Sequence, residues 1–293
     1  MTLATLIAAV SIAFPPEGAE LPYLKRCYVM GAADDGEEVV RLRGCEVAVG
    51  KTGAWATVVD VKPGTNVVEV GGVRRFFTIA PIAPIAPKRT YTKLEYAADQ
   101  AKPHPVGKKS EEITVVIDAG HGGHDTGAVS PHGLPEKDAN LRLANAVRNE
   151  LVKRGYTVVM TREDDTFVEL YDRPKVAHKA GADLFVSIHH NAPGYASNPF
   201  AIRSQSVYAW NALGEKLAKA INARMAAADP FLKNDGVLHA NFAVTRNPEI
   251  PSCLIEADFI THPDGESAAW DAARRPAIAA AIADGIGDWV AGK

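Results

Sequence analysis

Residues 115–127 read VVIDAGHGGHDTG, and this stretch decides how the second half of the chain is interpreted. Its thirteen positions hold four apolar residues, two histidines, two aspartates, four glycines and one threonine. The apolar run has the length of a buried strand and leads directly into a glycine loop that carries histidines. Three interpretations are open at this point: a loop that cradles phosphate, a tight turn that happens to contain histidines, and one part of a metal site.

The phosphate interpretation conflicts with the positions of the glycines. A dinucleotide-binding fingerprint requires glycine at 120, 122 and 125, but residue 125 is Asp125. A nucleotide-triphosphate loop requires a Gly-Lys-Ser/Thr ending, which the stretch lacks. A carboxylate where phosphate would approach is also electrostatically unfavourable. These mismatches strongly disfavour a phosphate loop.

Strand-length apolar runs alternate with helical patterns from about residue 113 onward. The alternation predicts an α/β domain over 113–293, with a mixed or parallel sheet covered by helices on both faces. The predicted strands are ITVVIDAG, TVVMTR, LFVSIHHNA, SVYAW and SCLIEADF. The predicted helices are EKDANLRLANAVRNELVKRG, RPKVAHKAG, ALGEKLAKAINARMAA and AAWDAARRPAIAAAIADGIGDWV.

The chain before residue 80 has a different pattern, in which short strands rich in Val, Ile and aromatics are separated by turns such as KTG (51–53) and KPGTN (62–66). This spacing predicts a small β-sandwich module over 1–80. The module loosely resembles the immunoglobulin-like accessory modules of secreted carbohydrate-active enzymes. Residues 81–112 contain PIAPIAPK and then polar, lysine-bearing sequence, which predicts a proline-rich linker.

The bulk composition excludes some functional classes. A net charge of −3 and a pI near 6.3 do not indicate the basic surface that is typical of nucleic-acid binding. The sequence contains no run of about 18 apolar residues, so it predicts no membrane span. The apolar residues 3–14 are interpreted as a signal-peptide remnant or as a lead-in to a strand. Cys27 and Cys45 either form a disulfide or are two buried small hydrophobes, and Cys253 is predicted to be in the core.

Three apolar runs of the α/β domain end in residues that can bind metal or transfer protons. They end at His121, His189 and Glu256, where ligands bind in sheets of this kind. A catalytic zinc takes three protein ligands and leaves one position open, and Glu136 could turn a carboxylate from the start of a helix toward the two histidines. Glu256, flanked by apolar residues, suits a general base because desolvation raises the proton affinity of a carboxylate.

Six segments of the α/β domain, in this order, carry a resemblance to a known family: IDAGHGGHDTGA (117–128), LPEKDANL (134–141), TVVMTREDDTFVEL (157–170), AGADLFVSIHHNA (180–192), GVLHANFAVTR (236–246) and PSCLIEADFITHP (251–263). In these segments the domain resembles the zinc-dependent N-acetylmuramoyl-L-alanine amidases, which are peptidoglycan hydrolases. The resemblance implies that His121, Glu136 and His189 are zinc ligands, that Glu256 is the catalytic glutamate, and that the substrate is peptidoglycan in the periplasm or outside the cell. For the N-terminal module three roles stay open: it binds a glycan, it binds a protein partner, or it only spaces the enzyme.

Neighbouring side chains on a strand face opposite sides, so His190 is not expected to bind the same metal as His189. His124 is interpreted as a residue at the pocket edge. Asp118 is expected to orient a histidine through a hydrogen bond to its ring N–H. Asp125 either orients a histidine in the same way or only caps its own turn.

Four further residues or segments have weaker predicted roles. Asn191 or Arg246 would assist the oxyanion, and Asp258 would either perturb the pKa of Glu256 or mark the rim of the site. The stretch 192–206 is too short for an inhibitory helical insertion, which indicates an open site. Two alternative functions stay open: a catalytically silent wall-binding or activator protein of the same fold, and an unrelated zinc peptidase.

Overall fold

The computed structural model describes residues 10–81, 105, 108–247 and 249–292. Most of the predicted linker and the first nine residues lie outside these ranges, so the interpretation of 3–14 and the predicted domain boundaries stay predictions. Among the described residues, no helix has the length and apolar character needed to cross a bilayer.

The N-terminal region folds as two β-sheets around a core that includes the fully buried Trp55 and Phe77. One sheet has the order β1-β7-β6-β3-β4 and the other pairs β2 with β5. This confirms the all-β prediction, and β1, which pairs in parallel with β7, is a strand that the sequence pattern did not predict. The strands are β1 (Ala19–Leu21), β2 (Arg26–Ala32), β3 (Val39–Leu42), β4 (Cys45–Ala48), β5 (Ala54–Asp60), β6 (Gly64–Val70) and β7 (Val73–Ile79).

The cysteines are all free: Cys27 is buried and Cys45 exposed, so the two do not form a bridge, and Cys253 is buried as predicted.

The second region is built on one six-stranded mixed sheet with the order β12-β11-β13-β10-β8-β9. Neighbouring strands are parallel except β11 and β13, which are antiparallel. The sheet confirms the predicted fold class, and β12 is an additional strand at its edge. The strands are β8 (Thr114–Ala119), β9 (Thr157–Met160), β10 (Leu184–Asn191), β11 (Gln205–Ala209), β12 (Asn234–His239) and β13 (Ser252–Phe259).

Within the described ranges, five helices cover the two faces of this sheet. They are α1 (Glu136–Lys153), α2 (Arg173–Lys179), α3 (Ala212–Ala228), α4 (Pro263–Trp270) and α5 (Arg274–Val290). Alternate residues of β8 enter two separate cores: Val115 and Ile117 pack with α1, α3 and α5, and Val116 packs with α2. Helices therefore lie on both faces, as the near-continuous apolar strands predicted.

The predicted last helix is in fact two helices, α4 and α5. Asp271 leaves the helical region at φ −64° and ψ 117°, and its carboxylate accepts a hydrogen bond from the Ala273 N–H at 2.7 Å. Asp competes with the helix by bonding to nearby backbone in this way, which explains the break that an alanine-rich pattern did not reveal.

The N-terminal module contacts two loops that flank the sheet edge where the predicted site residues lie. His132 lies between the Glu266 carboxylate (2.7 Å to Nδ1) and the carbonyl oxygen of Thr52 in the module (3.0 Å to Nε2). The backbone N–H of Tyr28 donates to the carbonyl oxygen of Tyr195 at 2.7 Å, and the Tyr195 ring stacks on Phe14. The first loop leads into α1 and the second follows β10, so the module packs against two loops that adjoin elements of the site.

Candidate metal centre

The strands β13, β10 and β8 are neighbours in the sheet, and their carboxyl ends meet at one edge. His189 is the register partner of Glu256, and Gly120, which directly precedes His121, donates its N–H to the carbonyl oxygen of Ile188 at 3.0 Å. The three residues predicted at strand ends are therefore brought to one place, as expected for parallel strands.

His121, Glu136 and His189 form one cluster in which the candidate ligand atoms all lie within 4.8 Å of one another. His121 Nε2 is 3.3 Å from Glu136 Oε2, and His189 Nδ1 is 3.0 Å from Glu136 Oε1. The two imidazole rings meet edge to face with centroids 4.9 Å apart. Two histidines and one carboxylate from three different elements thus face a common point.

Glu136 is the first residue of α1, and its buried carboxylate is held by several donors. Its Oε2 accepts from the Ala128 N–H at 2.9 Å, and its Oε1 accepts from the His190 N–H at 3.2 Å and the Asn140 amide at 3.0 Å. Burial would raise the pKa of Glu136, but its contacts with His121 and His189 outweigh burial and hold the pKa well below its usual value. The carboxylate is therefore ionised and fixed in direction.

A role for Asn140 in the site was not predicted, although its spacing from Glu136 was a signal for one. It lies four residues after Glu136 and hence on the same helical face, where its amide also donates to the Gly120 carbonyl oxygen at 3.3 Å. Its Oδ1 lies 2.8 Å from Nδ1 of the buried His190. Asn140 thus joins the helix, the glycine loop and β10.

His121 adopts φ +61°, a left-handed conformation that is uncommon for residues other than glycine. Its Nδ1 lies 2.8 Å from Asp125 Oδ2, which leaves Nε2 turned toward Glu136. Burial alone would lower the pKa of His121, yet hydrogen bonds with Glu136 and Asp125 raise it to about 9. The pocket therefore favours positive charge at this point, which is the property that a cation site requires.

Two glycines of the opening stretch leave room for the cluster. A side chain at Gly120 would place its Cβ 2.2 Å from the His189 ring, and one at Gly127 would lie 2.6 Å from both Glu136 Oε2 and the His121 ring. Distances below about 3.0 Å are steric clashes, so only glycine allows the ligand side chains to approach the loop so closely.

Glu256 lies beside the cluster and is protected from water at one oxygen. Its Oε2 is buried and has no hydrogen-bond partner among the residues that the structure describes. Burial first, and then the negative charge of Glu136, raise the pKa of Glu256 well above its usual value. A buried carboxyl with high proton affinity and a free oxygen has the properties of a general base or acid.

The side chains of three other described histidines are not part of the cluster, as predicted for His190 and His124. His190 turns to the opposite side of β10, where burial lowers its pKa to about 4. His124 is exposed and packs on the Phe167 ring at a centroid distance of 4.0 Å. His262 begins α4 by accepting a hydrogen bond from the Asp264 N–H at 3.1 Å.

Two expectations about aspartates were wrong. Asp118 contacts Thr161, Arg173 and Ser187 rather than a histidine, because its side chain points to the other face of β8. Asp258 is buried and forms two hydrogen bonds with Arg203, at 3.1 and 2.9 Å. Asp258 therefore does not perturb the pKa of Glu256, and as a buried residue it does not mark the rim of the site.

Two buried arginines, which were not predicted as site residues, donate hydrogen bonds to backbone carbonyl oxygens at the start of the glycine loop. Arg162 donates to the carbonyl oxygens of Ala119 and Gly120, both at 2.9 Å. Arg173 donates to the carbonyl oxygens of Ala119 and His121, also at 2.9 Å. For Arg162, the sequence signal was a charged residue two positions after the end of β9.

The proposed oxyanion helpers have other partners in this structure. Asn191 Oδ1 accepts from the Ala192 N–H at 2.8 Å, and the Arg246 guanidinium lies over the Tyr171 ring at 5.9 Å. Their role stays a prediction. No helix occurs among residues 192–204 between β10 and β11, which agrees with an open site.

The donor set fits a metal ion on chemical grounds. Glu136 and Glu256 are close enough to repel, and in the described part of the chain only the two histidines form ion pairs with Glu136. A cation at the cluster would neutralise this excess of buried negative charge. Two imidazoles and a carboxylate are a common ligand set of catalytic zinc, and the hydrogen bond from His121 to Asp125 is the outer contact that such ligands make.

An α/β sheet with a His-Glu-His cluster and a buried glutamate at one edge is the arrangement expected of a hydrolase whose site can hold a metal ion. Residues 115–288 match the family model described as N-acetylmuramoyl-L-alanine amidase. The chain therefore belongs to the N-acetylmuramoyl-L-alanine amidase family and is an enzyme.

Similar proteins include the N-acetylmuramoyl-L-alanine amidase AmiA of Escherichia coli, 36% identical over 62% of this chain and 78% of that protein. The probable cell wall amidase LytH of Staphylococcus aureus is 29% identical over 87% of this chain and 84% of LytH. Among solved structures, the amidase AmiC2 of Nostoc punctiforme is 34% identical, with a TM-score of 0.58 over 62% of this chain and 98% of that one.

Proposed function

We propose that this enzyme hydrolyses the amide bond between N-acetylmuramic acid and the L-alanine of the peptidoglycan stem peptide, with zinc held by His121, Glu136 and His189. The observation that carries the proposal is the convergence of these three side chains within 4.8 Å beside the buried Glu256. Membership of the amidase family supports the substrate. Similarity to a probable cell wall amidase supports action in the cell envelope, periplasmic or secreted.

Zinc bound there would polarise the amide carbonyl and lower the pKa of a water molecule. The protein supplies the remaining chemistry. Glu136 and the two histidines have fixed directions because Asp125, Asn140 and backbone N–H groups hold them. Little rearrangement is then needed when substrate arrives, which reduces the cost of reaching the transition state.

Glu256 moves the proton. The ionised Glu256 accepts a proton from the attacking water at its unpartnered Oε2. Burial and the negative charge of Glu136 raise the pKa of Glu256, which favours uptake of that proton. The same group then donates the proton to the nitrogen of L-alanine as the amide bond breaks. One residue thus acts as base and then as acid.

The test is digestion of purified sacculi by the full-length protein, with the products identified by mass spectrometry. We expect free stem peptides that begin with L-alanine, and glycan strands that keep an intact lactyl group. A zinc chelator should stop the release and added Zn²⁺ should restore it.

Soluble fragments that retain L-alanine on muramic acid would contradict the proposed bond, because they would arise from cleavage elsewhere in the polymer. Absence of any release would instead favour the catalytically silent alternative. Release that persists after complete removal of metal would contradict the zinc requirement.

The contact between Asp125 and His121 gives a prediction about metal affinity. Asp125→Asn removes the charge that fixes His121 but keeps an oxygen for the Gly127 N–H, which now lies 3.1 Å from Asp125 Oδ1. Loss of such an outer contact weakens zinc binding by about 10–100-fold. Competition with a chromophoric chelator measures this, and the adjacent His124→Ala should bind zinc like the wild type. Equal affinity of Asp125→Asn and wild type would show that the contact is not used.

A further inference from the structure

The outer face of the five-stranded sheet in the N-terminal module carries a groove of about 840 Å³. Its centre is apolar, because Val67 and Phe76 are register partners on β6 and β7 and are 43% and 45% exposed. Large apolar side chains exposed side by side are unusual on a sheet face that is otherwise polar. The centre of the groove therefore has apolar surface available for contact.

The borders of this groove are basic in a chain whose net charge is −3. Arg41, Arg43, Lys62 and Arg74 line it, against Glu69 as the one lining carboxylate among the described residues. Arg43 is fixed rather than mobile, since its guanidinium donates to the carbonyl oxygens of Asp60 at 2.8 Å and Val67 at 3.2 Å. No described carboxylate forms an ion pair with Arg43 or Lys62, so their charge is not neutralised.

Two of these cations form ion pairs that a ligand can replace. Arg41 lies 3.0 Å from Glu46, and Arg74 lies 2.7 Å from Glu69. In both pairs each side chain is more than half exposed. Exposed pairs of this kind contribute about 0–1 kcal/mol, so a carboxylate of a ligand can take the place of Glu46 or Glu69 at little cost.

We propose that this groove binds an acidic peptide with small apolar side chains, the chemistry of the peptidoglycan stem peptide. Charge complementarity supports this ligand, because its carboxylates would meet the basic borders while its methyl groups contact Val67 and Phe76. This inference rests on the proposed function for its choice of polymer. A second site on the same repeating substrate would raise retention on the wall by multivalency, without a new contact at the metal cluster.

The test measures binding to sacculi in a full-length Glu256→Gln background, so that binding is separated from cleavage. Arg41→Gln with Arg74→Gln should weaken binding about tenfold, since two exposed charge contacts are lost together. The matched control is Arg26→Gln with Lys219→Gln, which removes the same charge from exposed positions outside the groove. The control should bind within about twofold of the background. Phe76→Ser tests the apolar centre and should also weaken binding.

Competition identifies the ligand. A soluble stem peptide with free carboxylates should displace the background protein, and the same peptide with its carboxylates amidated should displace it less well. Displacement by peptide-free glycan strands but not by the peptide would overturn the proposal, as would unchanged binding of the Arg41/Arg74 variant.

Hydrolysis assays on two substrates distinguish failure of the groove proposal from failure of the proposed function. With Glu256 intact, the Arg41/Arg74 variant should cleave a small soluble muropeptide at the wild-type rate but release less peptide from sacculi. Equal release from sacculi by variant and wild type would overturn the groove proposal alone. Failure of the wild type to cleave either substrate would overturn the proposed function.

Discussion

Glu256→Gln should lower the rate of stem-peptide release by about 10²–10⁴-fold, the range that a positioned acid–base group contributes. Glutamine has nearly the same shape as glutamate but can neither accept the proton of the attacking water nor return it to the leaving nitrogen. The buried Oε2 of Glu256 has no hydrogen-bond partner among the described residues, so no neighbouring group replaces it. Zinc content should be unchanged, because Glu256 is not part of the His-Glu-His cluster.

The measurement is kcat on a soluble muropeptide together with metal analysis of the same sample. Glu163→Gln is a suitable control, since its side chain is 72% exposed and forms one long ion pair with Arg148. Its activity should match the wild type. Full activity of Glu256→Gln would show that another group transfers the proton and would contradict the mechanism.

His189→Ala should lose bound zinc, whereas His190→Ala should retain it. The two residues are adjacent, but His189 faces Glu136 at 3.0 Å and His190 faces Asn140 at 2.8 Å on the other side of β10. Removal of one of three protein ligands leaves too few donors for tight binding. Zinc affinity should then fall by at least about 10³-fold, which corresponds to roughly 4 kcal/mol.

Zinc per protein after gel filtration, together with a chelator competition, distinguishes the two variants. His190→Ala removes the buried hydrogen bond between His190 and Asn140, so the thermal stability of the variant should fall. Its zinc content should stay near one per chain. His190→Gln keeps a polar side chain there and checks that any metal loss is not due to unfolding. Equal zinc loss in the His189 and His190 variants would contradict the assignment of ligands.

Much of the fold follows from local patterns in the chain. Strands buried on both faces appear as continuous apolar runs, which is why β8, β10 and β13 were predicted correctly. Helical periodicity in 136–153 predicted α1 with Glu136 at its start. In contrast, the short edge strand β12 has little apolar sequence, and β1 has three residues, so neither has a clear local signal.

The roles of the carboxylates could not be inferred in the same way. Asp118 and Asp125 both flank His121, and sequence distance alone made either one a partner of a histidine. Asp118 ends in a buried ion pair with Arg173, which is 55 residues later in the chain. The turn from Gly122 to Asp125 brings the Asp125 carboxylate back to His121 Nδ1. The direction of a side chain depends on the turn and on distant partners, which no local pattern contains.

Local patterns were enough to identify the α/β class, the glycine loop and the candidate residues His121, Glu136, His189 and Glu256, because apolar periodicity and turn residues act over short distances. The folded structure was needed to show that Asp125 and Asn140 orient the cluster, that Asp258 pairs with Arg203, and that the module packs against both loops beside the site. The contacts of Asp258 with Arg203 and of His132 with Thr52 join residues from separate elements, and Asn140 also joins α1 to the glycine loop and β10. Such contacts form, and stabilise the fold, only when the strands are in register and the helices are packed.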